Sequence, residues 1–453
     1  VEDGEDGMKT PFGVAIVGCG TVGNAAAKLL LSQSSMLLER TGRRISLRAL
    51  VDIDFDRARA AGLDEGLFSE DFAPVLADEE IHLIIETVGG LSIARTIIEK
   101  ALKAGKHVVS ANKALLANYG DELFELARKN ELCIGFEASC AGGIPIVRAL
   151  VDGLLANSNE AIYGIVNGTA NFILTEMVRN GRTYADALKQ AQVDGIAEAD
   201  PNLDVNGMDS AHKLTLLASL AFGAKISLDE IPVEGIDSLD SFDVSAGLDL
   251  GYVPKLLAIA CQTDRGLELA VRPAFLSGTH PLARVSGVFN AISVYGSEVG
   301  HTMYYGQGAG GKATASALVS DVISIALGTW QLLFSKLNIW PDRGRNIRIA
   351  DFGESTHRQY LRFLIEDRSG VVAKITAALA GRGISIKVFV LREDRRPSNL
   401  VPIVITTYEA REKDISEAFE SIIAMPSVDK NAARIPIINE PNGSSQVLKS
   451  AIS

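Results

Sequence analysis

The chain is poor in the residues that build metal and disulfide frameworks. Four cysteines are spread over 453 residues. They stand at Cys19, Cys133, Cys140 and Cys261 without any C-x-x-C or C-x-x-H spacing, which argues against a zinc knuckle or a cross-linked scaffold. Basic charge is also short: 44 lysines and arginines face 56 acidic residues, a net charge of −12. A nucleic-acid binder needs a basic face to displace counterions, so that class is disfavoured. No apolar run reaches the ~18 residues of a membrane span. The opening VEDGEDGMKT carries acids and glycines where a secretory leader has basic and then apolar residues. Residues 1–10 are expected to be disordered and the protein to be cytoplasmic. What is plentiful is core material, 47% hydrophobic against 22% charged residues. At roughly 100–200 residues per domain this suits about two to four domains.

FGVAIVGCGTVGNAAAKLLL runs an apolar strand, Val14–Val17, into three spaced glycines and a helix. Gly18 permits a tight turn, Gly20 lets a pyrophosphate approach the backbone, and Gly23 lets helix and strand pack closely. The helix start, with Thr21 and Val22, offers free N–H groups and a partial positive charge to phosphates. A second strand, ISLRALVDID, ends at Asp52, placed to accept the ribose hydroxyls of NAD. Arg57 and Arg59 follow closely and could meet the 2′-phosphate of NADP instead. The Gly23–Asp52 spacing exceeds the usual ~20 residues, so the choice stays open with a lean to NAD. Thr87, at the end of the strand in IHLIIETVGG, is counted with the cofactor contacts.

That strand and the one in GKHVVSANKALLA are each preceded by a helix, the alternation of a parallel, doubly wound sheet. SANKALL places Lys113 at the carboxyl edge of the sheet, where such folds bind ligands. Cys140, beside Gly142 and Gly143, could be an activated nucleophile of an acylating aldehyde dehydrogenase. A thiolate normally needs a partnered histidine, and the nearest in sequence are His107 and His212, so packing of a turn is the favoured reading.

Beyond residue 150 the pattern changes to strand, turn and helix. Asn167, Gly168 and Thr169 open a helix whose N–H groups, with the Thr169 hydroxyl, could hold a carboxylate; a plain Asn-Gly turn with a threonine cap fits equally well. DGIAEADPNLDVNGMDSAHKL then crowds acids before an apolar helix. Asp209 and Lys213, four apart, share one helical face. Capping accounts for Asp204 or Asp209, but not well for Glu198. Carboxylates suit a substrate ammonium, and an aspartate-held lysine suits a carbonyl.

The motifs VAIVGCGTVG, ANKALLA, FEASCAGGIPI, NGTANFILTEM, AEADPNLDVNGMDSAHKL and YGQGAGGKATASALVSD, in that order over roughly residues 12–330, resemble the homoserine dehydrogenase family. The resemblance implies a nicotinamide enzyme interconverting L-homoserine and L-aspartate 4-semialdehyde. It places Lys113 and Lys213 at the reacting carbonyl, with Asp209 orienting Lys213. Glu198 and Asp204 would serve the substrate amino end and the network around it, and Gly168 and Thr169 substrate binding. It also implies a monovalent cation, Na+ or K+, on the backbone carbonyls of Glu137, Cys140, Gly142 and Ile144. GQGAGG at 306–311 would return the chain to the nucleotide domain. Cys140, Ala170, Ile196 and Ala313 depart from the family's usual valine, threonine or serine, tyrosine and proline; loss of the tyrosine hydroxyl could weaken substrate affinity.

YLRFLIEDRSGVVAKITAALAGRGISIKVFVLRE resembles the ACT amino-acid-sensing module, with Asp367-Arg368-Ser369-Gly370 where the module has D-x-P-G. The alternative is a dimerisation domain without a ligand. The expected organisation is an α/β protein. A Rossmann-type domain (11–149, completed by about 301–335) precedes an α+β catalytic and dimerisation domain (150–300). An ACT-like domain (357–436) and a disordered tail (437–453) follow. A homodimer or homotetramer responding to threonine is expected, with a chain cut near Gly353 still active but unresponsive. The rival reading is a catalytically idle sensor, which would need neither lysine.

Overall fold

The structure is a computed structural model and describes residues 11–392 and 400–439; the leader 1–10 and the tail from 440 on lie outside the described residues. Strands β1 (Phe12–Val17), β2 (Ile45–Val51), β3 (Phe68–Ser69), β4 (Ile81–Glu86), β5 (His107–Ser110) and β6 (Ile134–Gly135) pair in the order β3-β2-β1-β4-β5-β6. Every pairing is parallel. β1 is buried throughout, as expected of a strand covered on both faces by helices and therefore apolar at successive positions. The chain runs outward in both directions from β1, so the crevice beyond the carboxyl ends of β1 and β4 is the topological switch point at which such sheets bind ligands.

Helix Gly311–Ala326 completes this layer by packing on helix Thr21–Ser32. The approach is close: a Cβ on Gly311 would lie 3.1 Å from Thr21 Cγ2.

The second sheet is built from β7 (Asn159–Ile165), β8 (Tyr252–Thr263), β9 (Gly266–Ser277), β10 (Phe289–Gly296), β11 (Gly300–Gln307), β12 (Thr356–Glu366), β13 (Ile386–Leu391), β14 (Leu400–Thr407), β15 (Ala410–Arg411) and β16 (Ala433–Ile438). Its order is β11-β10-β7-β8-β9-β16-β12-β14-β13, with β15 on β12. Helices Gly168–Asn180, Met208–Phe222 and Ser241–Asp249 pack against β8.

The C-terminal module is continuous with this sheet. β16 runs parallel to β9, pairing Ile437 with Phe275 and Ile438 with Leu276. The expected disordered tail therefore starts too early at 437: two apolar residues there find an open ladder on β9. Buried ion pairs reinforce the joint. Arg362 of β12 grips Asp243 through Nε (2.8 Å) and Nη2 (2.9 Å), and Tyr360 Oη donates to Asp243 Oδ1 at 2.9 Å. The link after Trp340 also lies on the core, bridging Arg345 to Ala224 and Ile349 to Leu267. A cut near Gly353 would leave Asp243 without its arginine, and breaking a buried pair costs about 3–5 kcal/mol. The expectation of a shortened chain that stays active therefore has to meet this cost in stability.

Candidate functional site

The three glycines after β1 divide their work as their backbone requires. Gly18 has φ +103, and a Cβ there would meet the Thr87 backbone at 2.7 Å. A Cβ on Gly23 would sit 1.9 Å from Gly18 O. Around Gly20, by contrast, nothing lies within 4 Å of the Cβ position. The fold itself demands Gly18 and Gly23, whereas Gly20 keeps a space open beside the first turn of helix Thr21–Ser32. That helix has no side-chain cap, which leaves the N–H groups of Thr21 and Val22 directed at this space. A nucleotide pyrophosphate fits such a cradle.

Asp52 and Thr87 meet the same loop. Asp52 Oδ2 accepts from Cys19 N at 2.5 Å, and Oδ1 accepts from Ile53 N at 2.7 Å. Thr87 Oγ1 donates to Gly18 O (2.8 Å) and Val17 O (3.2 Å). Thr87 thus fixes the glycine turn beside the proposed cofactor space. Arg59 is engaged by Asp56 and Glu65. Glu86, which sequence reasoning missed, is fully buried at the end of β4. Its Oε1 accepts from Val88 N (2.8 Å) and Gly89 N (3.0 Å), and its Oε2 from Ser110 Oγ (2.6 Å). Ser110 Oγ accepts from Asn112 N, and Asn112 Nδ2 donates to Gly90 O. One carboxylate therefore ties together the loops after β4 and β5. A buried acid ending an apolar strand was the available signal.

Lys113 opens helix Lys113–Lys129, with Asn112 as its cap. A cation at a helix N-terminus opposes the helix dipole, so something else must hold it there. Asp209 does: Lys113 Nζ is 3.0 Å from Asp209 Oδ1, and Lys213 Nζ is 2.7 Å from Oδ2 and 2.6 Å from Val166 O. Burial disfavours the Asp209 carboxylate, but Lys213 and Lys113 outweigh it and hold its pKa well below the ordinary carboxylate range. Burial likewise works against charge on Lys113, yet Asp209 raises its pKa above the usual lysine value. Two ammonium groups thus share one ionised carboxylate, with hydrogen-bond donors left over for a substrate oxygen.

Asn167 completes the cluster. It caps helix Gly168–Asn180 through Ala170 N (2.7 Å), and its Nδ2 donates to both Asp204 Oδ1 and Asp209 Oδ2 at 2.8 Å. Sequence reasoning treated it only as a turn former. The cap is therefore Asn167; the Thr169 hydroxyl instead donates to Ile196 O at 3.3 Å. Gly168 lies against Val288 O, 2.8 Å from a would-be Cβ. Glu198 is not drawn in: it is exposed, and its backbone carbonyl receives Gln192 Nε2 at 3.4 Å.

The turn after β6 is tightly wound, with Ala141 (φ 54) and Gly142 (φ 57) both left-handed. Glu137 O accepts from Cys140 N and Ile144 O from Ile146 N, and each carbonyl retains a second lone pair. Neutral oxygens of this kind suit a hard monovalent cation. The Glu137 carboxylate instead caps the next helix, accepting from Val147 N (2.8 Å) and Arg148 N (2.9 Å). Burial, and then the neighbouring Asp321, push its pKa up to about 7; burial pushes Asp321 up to about 6. Cys140 is fully buried beside Ser139, and burial pushes its thiol up to about 12. It stays a protonated thiol, contrary to the nucleophile reading.

Comparison with known proteins agrees with this geometry. The homoserine dehydrogenase NAD-binding domain matches residues 18–137, the homoserine dehydrogenase domain residues 145–323 and the ACT domain residues 359–426. The homoserine dehydrogenase of Neisseria gonorrhoeae is 40% identical over 93% of this chain and 97% of its own. The crystal structure of a homoserine dehydrogenase from Thiobacillus denitrificans superposes with a TM-score of 0.89 at 38% identity, covering 95% of this chain and 98% of that one. A hyperthermophilic archaeal homoserine dehydrogenase in complex with NADPH matches at a TM-score of 0.58 and 28% identity, over 69% of this chain and 97% of its own. The chain belongs to the homoserine dehydrogenase family, NAD(P)-dependent oxidoreductases of amino-acid biosynthesis, and carries that family's catalytic core followed by an ACT domain.

Proposed function

We propose that the Lys113–Asp209–Lys213 cluster is the proton-handling centre of this homoserine dehydrogenase, and that Asp204, Asn167, Gly168 and Thr169 line the substrate. The observation that carries this is the shared carboxylate. Asp209 binds both lysines, raises the Lys113 pKa, and aims the two from opposite sides, one on the nucleotide sheet's ligand edge and one on the catalytic helix. A bound nicotinamide supplies or takes the hydride. In the reductive direction an Nζ–H group of either lysine polarises the aldehyde oxygen and gives it a proton. In the oxidative direction the same nitrogen must first be neutral to take the hydroxyl proton, so homoserine oxidation quickens as pH rises. Glu198, on the exposed loop before helix Asn202–Val205 and outside the cluster, keeps the substrate-ammonium role on the family resemblance alone.

The finer assignments belong to the same reading. Asp52 at the end of β2 favours NAD, because a 2′-phosphate would meet like charge there. A Na+ or K+ ion on the Glu137, Cys140, Gly142 and Ile144 carbonyls would brace the left-handed turn beneath the lysines. Threonine is the effector, held at the exposed Asp367–Gly370 turn that opens helix Val371–Ala380. The working form is a cytoplasmic homodimer or homotetramer; the exposed Met303 and Tyr305 on the edge strand β11 support association. The test mixes the protein with L-homoserine and NAD or NADP and follows reduced nicotinamide by absorbance. A faster rate with NAD is expected. Equal or faster turnover with NADP would move the ribose pocket's control to Arg57 or Arg59.

A further inference from the structure

Arg272, in β9, belongs to neither the cofactor crevice nor the lysine–carboxylate cluster, yet only 2% of its side chain is exposed. Its Nη1 is 3.4 Å from Glu412 Oε2, on helix Glu412–Ile423 of the C-terminal module. Its Nη2 is 3.0 Å from Glu234 Oε1. Both are ion-pair distances, but none of the guanidinium N–H groups is aligned for a hydrogen bond. A buried cation shared by two carboxylates and fully bonded to neither responds strongly to small displacements of either, because the surrounding dielectric is low.

Each carboxylate belongs to a different part of the molecule. Glu412 is fixed within the module: Gln359 Nε2 donates to its Oε2 at 3.0 Å, and Arg434 Nη1 is 2.8 Å from its Oε1. Glu234 sits on the strap 232–236, which lies between β9 and the acidic motif. Glu234 N donates to Val271 O at 2.7 Å, Val271 N to Pro232 O at 2.8 Å, and Ile236 N to Val205 O at 2.8 Å. Gly207 (φ +89) presses on the strap; a Cβ there would lie 2.9 Å from Val233 Cγ1 and 3.2 Å from Glu234 O. Val205 directly follows Asp204, and Gly207 is two residues before Asp209. Those are the two carboxylates that share the Asn167 amide.

We propose that Arg272 is a positioning residue for Asp204 and Asp209, setting the strap 232–236 beneath them according to where the C-terminal module holds Glu412. The proposal rests on the assignment of Asp204 and Asp209 to the substrate site. Coupling of this kind is reciprocal, so homoserine binding must in turn be felt at helix Glu412–Ile423.

The test uses the full-length protein. Glu234→Gln cuts only the active-site half of the bridge at a half-exposed side chain. Arg272→Met with Glu412→Gln removes the bridge without leaving a buried carboxylate opposite a missing cation. Both variants should raise the homoserine KM about fivefold or more with the NAD KM close to parental, and Glu234→Gln should also keep a parental Tm. In hydrogen exchange, saturating homoserine with oxidised cofactor should slow residues 412–423 in the parent but not in either variant. Parental homoserine KM in both variants would make Arg272 a structural bolt and overturn the proposal. So would a parent whose 412–423 exchange ignores active-site ligands. Failure of the site assignment itself is read separately, from a Lys213→Met variant that turns over normally.

Discussion

Lys113 Nζ lies 3.0 Å from Asp209 Oδ1, and through this contact the carboxyl edge of the parallel sheet touches helix Met208–Phe222. Neither residue satisfies its local environment alone. Lys113 stands at the wrong end of a helix dipole, and Asp209 is a buried carboxylate. Each is stable because of the other and of Lys213. Local rules broken in a mutually compensating way mark a functional site.

Asp209→Asn should therefore act on stability and on the pH profile together. Removing one member of a buried ion cluster costs about 3–5 kcal/mol, readable as a lower urea midpoint. Lys113 also loses the charge that raises its pKa, so its deprotonation moves to lower pH. In the reductive direction, where a charged lysine is required, the alkaline fall in rate should begin earlier than in the parent. An unmoved alkaline limb would detach Lys113 from proton transfer.

Gly20 and Gly23 separate ligand space from fold space. Gly20→Ala pushes a methyl group into the open cradle, and overpacking by a methyl group costs typically 1–3 kcal/mol, so the cofactor KM should rise about tenfold. The homoserine KM and Tm should change little. Gly23→Ala meets Gly18 O and should lower Tm before it lowers affinity. Steady-state kinetics and thermal unfolding of the two variants distinguish these outcomes; equal KM effects would deny Gly20 its special place.

Glu137 predicts a pH dependence of stability. Its folded pKa, about 7, lies above the ordinary glutamate value of 4.5, so the native state binds the extra proton between those values. The resulting stabilisation is full below about pH 4.5 and is lost as pH rises through about 7. Glu137→Gln mimics the protonated acid, so its stability relative to the parent should increase between pH 5 and pH 8, on the order of 2–3 kcal/mol. Urea unfolding at the two pH values measures it. A constant difference would show that Glu137 is ionised throughout.

Much of this was legible in the sequence because the signals are local. The glycine spacing, the apolar strands and the Asp209–Lys213 interval each follow from backbone periodicity, and the structure brings Lys113, Asp209, Lys213 and Asp204 together as the resemblance implies. What was not legible depends on long-range pairing. Asn167 reads as a turn residue until helix Met208–Phe222 places two carboxylates on its amide. Glu86 gains its role only when β4 and β5 lie side by side. β16 was missed because ARIPII is short, and its pairing with β9 spans most of the second half of the chain. That pairing also joins the C-terminal module to the second sheet, a connection its sequence pattern does not suggest.

Threonine sensitivity is best tested by a point change in place of truncation. Asp367 is exposed at the turn that opens helix Val371–Ala380. Asp367→Ala should leave the rate without threonine at the parental value and raise the threonine concentration for half-inhibition about fivefold or more. An unchanged threonine response would place the effector elsewhere in the protein.

If a lysine held by Asp209 handles the proton of homoserine chemistry, Lys213→Met must cripple turnover. Methionine keeps the apolar stem and removes the ammonium that bonds Asp209 and Val166 O. Homoserine-dependent reduction of NAD, followed at saturating cofactor, should fall by about 10² or more, with the NAD dissociation constant unchanged. Turnover within a few-fold of the parent would remove Lys213 from the proton transfer and leave it a buried structural side chain.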